Sequence, residues 1–457
     1  MKTIITLTDS YKLTHHPMYV EGTEYVYSYF EARPGAKFPF TVFFGLQYLL
    51  TQLEGIVVKK EDIDYAEKLA ALHFGNDKIF KRERWDYILE HHNGKLPIEI
   101  CAVPEGTVVP INNILMTVVN TDPKCFWLTN HLETFLSHVW APTTVATLSK
   151  TCKNLFNEFL TKTGSNLVGI NFMLHDFGMR GTSSMETAGI CGAGHLVNFM
   201  GTDTIIAMEY AHKYYEADLA TLAYSVPASE HSVMTALGED GEPKIIEHLL
   251  DTYPTGILSI VSDSYDIYRC VREYYGKQFK EKILARDGKL VVRPDSGDPI
   301  QVVINLLEAL GTIFGITTNK KGYQVLNPKV GLLWGDGLDI YKIEEILSAM
   351  KTHKWAAENI VFGMGGGLLQ KINRDTQRFA FKSSAQCRNG IWYDVYKQPI
   401  DTTKVSKKGK LKLVKDNGTF LTVNQNDPRQ DLLIPIFRNG EILKRWTFDE
   451  IRKKSNE

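Results

Sequence analysis

The sequence has no excess of charge of either sign. It contains 52 lysine and arginine residues against 53 aspartate and glutamate residues, which gives a formal net charge of −1. Proteins whose main partner is a nucleic acid or an anionic membrane surface usually carry a basic surplus. We therefore expect neither a nucleic acid nor a membrane as the main partner of this chain.

The sequence also lacks paired cysteines. Its six cysteines form no C-x-x-C pair and no spacing that is typical of metal ligands, which argues against a zinc motif and a disulfide framework. We expect reduced thiols at all six positions, which are Cys101, Cys125, Cys152, Cys191, Cys270 and Cys387.

Long hydrophobic runs are absent. No uninterrupted apolar stretch approaches the about 20 residues that span a bilayer, and the apolar run that follows Met1 is too short for a signal peptide. The hydrophobic fraction, 44%, is that of an ordinary globular protein. These features predict a cytoplasmic protein.

No low-complexity linker divides the 457 residues, so the domain organisation has to be inferred from changes in hydrophobic periodicity. Residues 1–146 read as a mixed, partly β-rich segment, and residues 377–457 as a β-rich segment. Residues 147–376 have the alternating pattern of a catalytic α/β barrel. We expect the two flanking segments to pack together as a second domain.

Short apolar segments alternate with amphipathic ones in the central region. The amphipathic residues 299–310 and 340–350 predict helices, and strands that alternate with helices form parallel sheets. Seven strands at this spacing favour an irregular (β/α) barrel over an open sheet, with a β-rich α+β domain beside it. The predicted strands are residues 168–174, 204–208, 221–225, 256–261, 290–293, 330–334 and 360–362.

Three acidic residues follow predicted strands. Asp263, Asp295 and Asp336 each lie beside glycine or serine, a position where a single aspartate is more often a helix cap or turn residue. In a barrel, however, all three would point toward one pocket. Carboxylates in such a pocket suit Mg²⁺ bound to a pyrophosphate, held partly through water.

A glycine-rich turn follows the last predicted strand. Residues 363–371 match neither the Walker sequence nor G-x-G-x-x-G, so neither nucleotide fold is implied. A glycine turn that opens a helix can bind a phosphate through its backbone N–H groups, and Arg374 follows closely. The alternative is a tight strand-to-helix connection without a ligand.

Three other polar residues are each consistent with a structural role and with a functional role. Arg180 and Arg293 lie beside strand ends and are suited either to surface ion pairs or to recognition of an anion. His231, after Glu230, is either structural or a nucleophile or base.

Taken together, the motifs resemble the nicotinamide phosphoribosyltransferase family of type II phosphoribosyltransferases. The resemblance extends over nearly the whole chain, from Thr8 to Arg452. The segments that carry it most specifically are residues 8–12, 175–178, 201–203, 225–228, 261–268, 293–297 and 365–371.

The resemblance implies roles for individual residues around a pyridine ring. Phe177 would stack on one face of nicotinamide and Tyr11 of a second subunit on the other, which makes the enzyme a homodimer with shared active sites. Asp203 would accept a hydrogen bond from the carboxamide. The residues implied to line the ring and ribose are Arg180, Ser225, Asp263, Arg293, Asp295, Gly335 and Asp336.

The resemblance also implies how phosphate and pyrophosphate are bound and how the reaction proceeds. The 5′-phosphate of phosphoribosyl pyrophosphate (PRPP) would bind to Gly365, Gly366 and Arg374, with Arg33, Lys382 and Lys397 of the second subunit nearby. Mg²⁺ would be held by Asp263 and Asp295 through water. Catalytic roles fall to His231, Asp295 and Arg293, and ATP would phosphorylate His231 to favour formation of nicotinamide mononucleotide in NAD salvage.

Two alternatives remain at this point. A nicotinate phosphoribosyltransferase would have the same architecture, but Asp203 would repel the carboxylate of nicotinate. A binding or signalling protein could keep the fold without turnover, because a fold alone does not define a function.

Overall fold

The computed structural model describes residues 3–398 and 405–457. The chain divides into two compact units. The flanking unit comprises Met1–Thr147, Tyr210–Ala217 and Ile372–Glu457, and the barrel unit comprises Leu148–Glu209 and Asp218–Lys371. The short segment Tyr210–Ala217 thus belongs to the flanking unit, although it lies inside the range that the sequence assigns to the barrel.

The strands are short, as expected for a chain that alternates between strand and helix. They are β1 (Thr23–Ala32), β2 (Phe40–Val42), β3 (Ile98–Ala102), β4 (Val108–Pro110), β5 (Ile114–Asn120), β6 (Leu174–Asp176), β7 (Gly201–Thr202), β8 (Thr255–Val261), β9 (Asp287–Arg293), β10 (Ile316–Thr318), β11 (Gln324–Leu326), β12 (Val330–Trp334), β13 (Ile360–Met364), β14 (Phe379–Arg388), β15 (Ile391–Asp394), β16 (Leu411–Asp416), β17 (Thr419–Asn424), β18 (Ile434–Arg438) and β19 (Glu441–Ile442).

None of the helices within the described residues is long and apolar enough to cross a membrane. They are α1 (Leu46–Leu50), α2 (Lys60–Phe74), α3 (Arg82–His91), α4 (Leu128–Ser137), α5 (Trp140–Thr163), α6 (Met185–Leu196), α7 (Ile205–Tyr215), α8 (His231–Met234), α9 (Glu242–Thr252), α10 (Ile267–Arg269, continued by a π-helical segment Cys270–Gln278), α11 (Lys280–Ala285), α12 (Pro299–Phe314), α13 (Ile340–Thr352), α14 (Gly366–Leu369) and α15 (Phe448–Asn456).

The barrel unit is built on a six-stranded parallel sheet. Its strand order is β7-β6-β13-β12-β9-β8. Parallel bridges pair Gly201 with Tyr224 and Ala228 with Ser259, so the segment between Tyr224 and Ala228 connects the two edge strands β7 and β8. The sheet closes through this irregular segment, which confirms the predicted irregular parallel barrel.

Three of the seven predicted strands differ from the structure. Residues 204–208 are wrong as a strand: the strand is Gly201–Thr202, and α7 begins at Ile205. Ala207 and Ala211, four residues apart, are fully buried, which is helical periodicity hidden in a β-branched run. Residues 168–174 begin too early, because Val168 is exposed and β6 starts at Leu174. Residues 221–225 form only the bridging segment.

The flanking unit contains a seven-stranded antiparallel sheet of order β15-β14-β1-β5-β3-β18-β19. Its strands come from both ends of the chain: Phe30 of β1 pairs with Phe381 of β14, and β3 pairs with β18. The predicted β-rich second domain built from both flanks is therefore confirmed.

Two helix starts in the flanking unit carry recognisable sequence signals. α15 begins with a capping box, in which Thr447 and Glu450 exchange side-chain and backbone hydrogen bonds. The chain breaks between α4 and α5, from Ser137 to Trp140, and Pro142 lies in the first turn of α5. Proline is tolerated in a first turn because the N–H that it lacks has no intrahelical acceptor there.

Candidate active site

The carboxyl ends of the barrel strands carry most of the predicted site residues. The parallel register pairs Val261 with Arg293 and Asp176 with Thr202, so neighbouring strands end at the same rim. Residues that directly follow these strands share that rim. They are Phe177, Asp203, Asp263, Asp295, Gly335, Asp336, Gly365 and Gly366.

A cavity of about 360 Å³ lies inside the barrel unit. Phe177, Asp203, Ser225 and Arg293, four of the predicted ligand residues, line it. Most of the remaining wall is apolar, and such a wall with a few polar groups is typical of sites for small ring compounds. Its other lining residues are Phe172, His175, Tyr224, Val226, Ala228, Ile257, Ser259, Lys289, Val291, Gly331, Leu332, Leu333, Glu358, Asn359, Ile360 and Val361.

Two glycines make room for the Phe177 ring. A Cβ on Gly363 would lie 2.0 Å from Phe177 Cε2, and a Cβ on Gly335 would lie 3.2 Å from the same atom. The guanidinium carbon of Arg293 lies 5.6 Å from the ring centroid, within cation–π range. Phe177 is thus a fixed aromatic surface on the cavity wall.

Asp203 places a carboxylate beside this aromatic surface. The Ser225 hydroxyl donates a hydrogen bond to Asp203 Oδ1. Asp203 Oδ2 has no hydrogen-bond partner among residues 3–398 and 405–457. The cavity therefore offers an acceptor to a ligand N–H group.

Asp263 is the centre of a hydrogen-bond network at the rim. Its side chain is only 7% exposed. Its Oδ2 accepts hydrogen bonds from the Asp295 backbone N–H, at 2.9 Å, and from the Ser296 hydroxyl. Its Oδ1 lies 3.1 Å from His231 Nε2. Because a carboxylate only accepts, Nε2 carries the proton and Asp263 fixes the ring of His231.

Asp295 is the more open of the two carboxylates. Its side chain is 26% exposed, Oδ1 accepts a hydrogen bond from Arg293 Nη2 at 3.0 Å, and Oδ2 lies 3.9 Å from His231 Nδ1. Asp263 already accepts three hydrogen bonds, so direct coordination of a metal by both carboxylates is disfavoured. The donor set does fit one Mg²⁺ held mainly through water, as Mg²⁺ prefers near phosphates.

The glycine-rich turn differs from its prediction in one respect. The helix that it opens, α14, has only four residues, so its dipole adds little to anion binding, and Arg374 lies beyond its end. A Cβ on Gly366 would meet nothing within 4 Å, whereas one on Gly181 would lie 3.4 Å from the Gly366 Cα. The Arg180 turn, Met179–Gly181, therefore lies against an open stretch of glycine backbone.

Asp336 follows β12 on an ordered loop. The indole Nε1 of Trp334 donates to the Asp336 backbone carbonyl at 2.8 Å, and the Asp336 side chain is exposed. Gly335 of this loop lies against Phe177, and the exposed carboxylate of Asp336 directly follows it in the chain.

The remaining predicted residues lie in the flanking unit. Burial lowers the pKa of Lys382, Glu133 partly offsets this, and the positive charges of Arg33, Lys397 and Arg374 lower it further, so the four cations are close enough to interact. The exposed Tyr11 lies in the turn Ser10–Thr14. The flanking unit thus carries a basic cluster suited to an anion.

Polar residues also line the cavity from within the strands, and these were not predicted. Ser259 of β8 and Lys289 of β9 both line it. Side chains alternate along a strand, so residues 289, 291 and 293 share one face, and all three are in the wall. A polar residue at this spacing inside an apolar strand was the available signal. Burial lowers the pKa of the Lys289 ammonium, in part offset by Glu358.

Comparison with known protein families agrees with this geometry. Residues 172–441 match the nicotinate phosphoribosyltransferase (NAPRTase) family, and residues 3–100 match the N-terminal domain of nicotinamide phosphoribosyltransferase. A nicotinamide phosphoribosyltransferase of Xanthomonas campestris is 43% identical, over 97% of this chain and 96% of its own. One of Acinetobacter baylyi is 34% identical, over 98% and 95%.

Solved structures share the fold at low sequence identity. A nicotinate-nucleotide pyrophosphorylase from Pyrococcus furiosus superposes with a TM-score of 0.61 at 17% identity, over 99% of this chain and 95% of its own. Human nicotinic acid phosphoribosyltransferase gives 0.58 at 15% identity, over 98% and 93%. These structural matches show the fold alone. The near full-length relatives and the family match over residues 172–441 show that the chain belongs to the nicotinamide phosphoribosyltransferase family of enzymes.

Proposed function

We propose that the protein joins nicotinamide to PRPP, forming nicotinamide mononucleotide and pyrophosphate in NAD salvage. The observation that carries the proposal is the placement of Phe177 and Asp203 on one apolar cavity wall, at the rim that also carries Asp263 and Asp295. The wall with Phe177 and Asp203 suits a neutral aromatic amide, and the rim with Asp263 and Asp295 suits a phosphorylated sugar.

The preference for nicotinamide over nicotinate rests on Asp203. Its free Oδ2 accepts an amide N–H but repels a carboxylate. Arg293, the cavity cation nearest Phe177, forms an ion pair with Asp295 and is partly neutralised. The electrostatics therefore favour the amide.

The reaction then follows from positioning and electrostatics. Nicotinamide stacked on Phe177 directs its ring nitrogen at C1 of the ribose, whose hydroxyls lie near Gly335 and Asp336. As the bond from C1 to pyrophosphate breaks, C1 gains oxocarbenium character, and Asp336 and Asp295 stabilise that positive charge. The ring nitrogen forms the new bond to C1 with its lone pair, and the electron pair of the broken bond leaves with pyrophosphate.

Two groups of residues would hold the charged parts of PRPP. The glycine backbone at Gly365 and Gly366, with Arg180 nearby and Arg374, suits the 5′-phosphate. Asp295, with Asp263 behind it, would hold Mg²⁺ through water. When bound, Mg²⁺ supplies positive charge that stabilises the pyrophosphate leaving group.

His231 has the orientation of a phosphate acceptor. Asp263 holds Nε2–H, which leaves Nδ1 with a lone pair, and the side chain is 47% exposed. Attack of Nδ1 on the γ-phosphorus of ATP would form phosphohistidine and release ADP. The added negative charge would attract Mg²⁺ and, through the metal, would hold the pyrophosphate group more tightly at the rim.

The proposed active enzyme is a homodimer that forms two shared sites in the cytoplasm. Tyr11, with an exposed ring, would cover the second face of nicotinamide in the other subunit. Arg33, Lys382 and Lys397 of the basic cluster would reach the phosphate of that same site.

A turnover assay tests this function. With nicotinamide, PRPP and Mg²⁺, the parent protein is expected to form nicotinamide mononucleotide and pyrophosphate in equal amounts, and to use nicotinate poorly. Asp203→Ala should lose much of the preference for nicotinamide, because the acceptor for the amide is gone. ATP should raise product formation by the parent but not by His231→Ala.

The controls separate the alternatives. A parent protein inactive with both pyridines would support a non-catalytic binding protein, and one that preferred nicotinate would support a nicotinate phosphoribosyltransferase. Full preference for nicotinamide in Asp203→Ala would contradict the role of Asp203.

A further inference from the structure

One buried residue connects the two loops that contact the pyridine in the proposed site. Asp176 is the last residue of β6, directly before Phe177, and is fully buried. Its backbone carbonyl accepts a hydrogen bond from the Asp203 N–H at 2.9 Å. Its side-chain Oδ1 accepts one from the Gly178 N–H at 2.7 Å.

We propose that Asp176 is a positioning residue for the pyridine site: its side chain holds the Phe177 turn through the Gly178 N–H, while its backbone carbonyl holds the Asp203 turn, and together these bonds fix the distance between the ring and amide contacts. This inference rests on the proposed function, which defines what the two turns bind. Asp176 itself lies behind the cavity wall and does not line the cavity.

The contacts of Phe177 show why the side chain of Asp176 matters. The Phe177 N–H donates to the Met364 carbonyl at 3.0 Å, which fixes the peptide before the ring. The Asp176 carboxylate fixes the peptide after it through Gly178. The Gly178 N–H is buried, so without Asp176 it would lose its acceptor and the turn would have to move.

The surroundings of Asp176 indicate a role other than stability. Burial, with the negative charge of Asp203, raises the pKa of its carboxyl to about 6, although the Gly178 N–H and the Thr204 side chain oppose this. Its Oδ2 has no partner at hydrogen-bond distance among the described residues, although the Thr204 side chain is close enough to lower the pKa of the carboxyl. A Cβ on Gly192 would come within 3.2 Å of Oδ2. Burying a carboxyl with one oxygen unsatisfied is costly for folding. The hydrogen bond that Oδ1 accepts from the Gly178 N–H holds the turn.

The closest matched control is a buried polar residue at the opposite end of the barrel strands. The guanidinium of Arg286 donates to the backbone carbonyls of Tyr253, Gly256 and Lys289, where β8 and β9 begin. Its loss should also destabilise the barrel, but far from the rim that carries Phe177.

The test measures KM for nicotinamide and for PRPP, kcat and thermal unfolding for three variants. In Asp176→Ala we expect the nicotinamide KM to rise roughly 10- to 100-fold, the effect of leaving one buried donor unpaired, with little change in the PRPP KM. Asp176→Asn should restore most of the affinity, because the amide oxygen accepts from the same N–H. Arg286→Met should lower thermal stability and leave the nicotinamide KM unchanged.

Three outcomes would overturn the proposal: a parent-like nicotinamide KM in Asp176→Ala, an equal loss in Asp176→Asn, or an equal rise in Arg286→Met. The first two would show that the Oδ1 acceptor does not set the turn, and the third would assign the effect to general destabilisation. Each requires an active parent, so the failure of the proposed function, an inactive parent, is a separate result.

Discussion

Replacing Asp263 with alanine is expected to lower kcat/KM for PRPP by roughly 10²- to 10³-fold, the usual effect of removing one well-placed electrostatic group. Asp263 binds the Asp295 backbone, the Ser296 hydroxyl and His231 at once. Without it, the loop that presents Asp295 and the ring of His231 both lose their anchor. Initial rates of pyrophosphate release at varied PRPP concentration measure the effect.

Asp266, on the same loop, provides the matched control. Its side chain caps α10 by accepting from the backbone N–H groups of Tyr268 and Arg269. Asp266→Ala should cost about 1 kcal/mol of stability, as lost helix caps do, and leave kcat/KM near the parent value. Equal losses of activity in both variants would show that Asp263 has no special role at the rim.

Introducing a methyl group at Gly363 is expected to weaken nicotinamide binding strongly. In Gly363→Ala the new Cβ would lie 2.0 Å from Phe177 Cε2 and 2.2 Å from Cδ2, so the ring must leave its position. Overpacking of this kind costs about 1–3 kcal/mol, which corresponds to roughly 10- to 100-fold in affinity. The nicotinamide KM should therefore rise far more than the PRPP KM.

Gly169→Ala serves as the control for this substitution. Gly169 is exposed, and a Cβ there would meet nothing within 4 Å. It should bind nicotinamide as the parent does. If Gly363→Ala kept the parent KM while folding normally, Phe177 could not be the surface on which the pyridine stacks.

The barrel could be predicted from sequence where strands are apolar and end at clear turn signals. β12 was predicted with its observed bounds, because an apolar segment runs directly into Gly335-Asp336-Gly337. β7 was misplaced because a two-residue strand has no periodicity of its own, and the apolar run after it forms the first turn of α7, where Ala207 is buried and Ile205 is exposed. Local patterns fail where tertiary pairing defines the strand.

The site was predictable to a similar degree. The acidic residues after β8, β9 and β12 follow from barrel topology, and the structure places them on one rim. The space that Gly363 leaves for the Phe177 ring could not be predicted, because it depends on the pairing of β13 with β6. From the sequence, Gly363 was predicted only to belong to the glycine-rich turn that binds phosphate. Asp176 was noted only as part of residues 175–178, which carry the family resemblance.

A crystal structure of the protein with nicotinamide mononucleotide bound tests the central claim most directly. The account predicts a pyridine ring stacked on Phe177, with its carboxamide nitrogen within hydrogen-bond distance of Asp203, about 3 Å. It also predicts that the 5′-phosphate lies against the backbone of Gly365 and Gly366. A ring bound away from Phe177, or a carboxamide turned away from Asp203, would contradict the account.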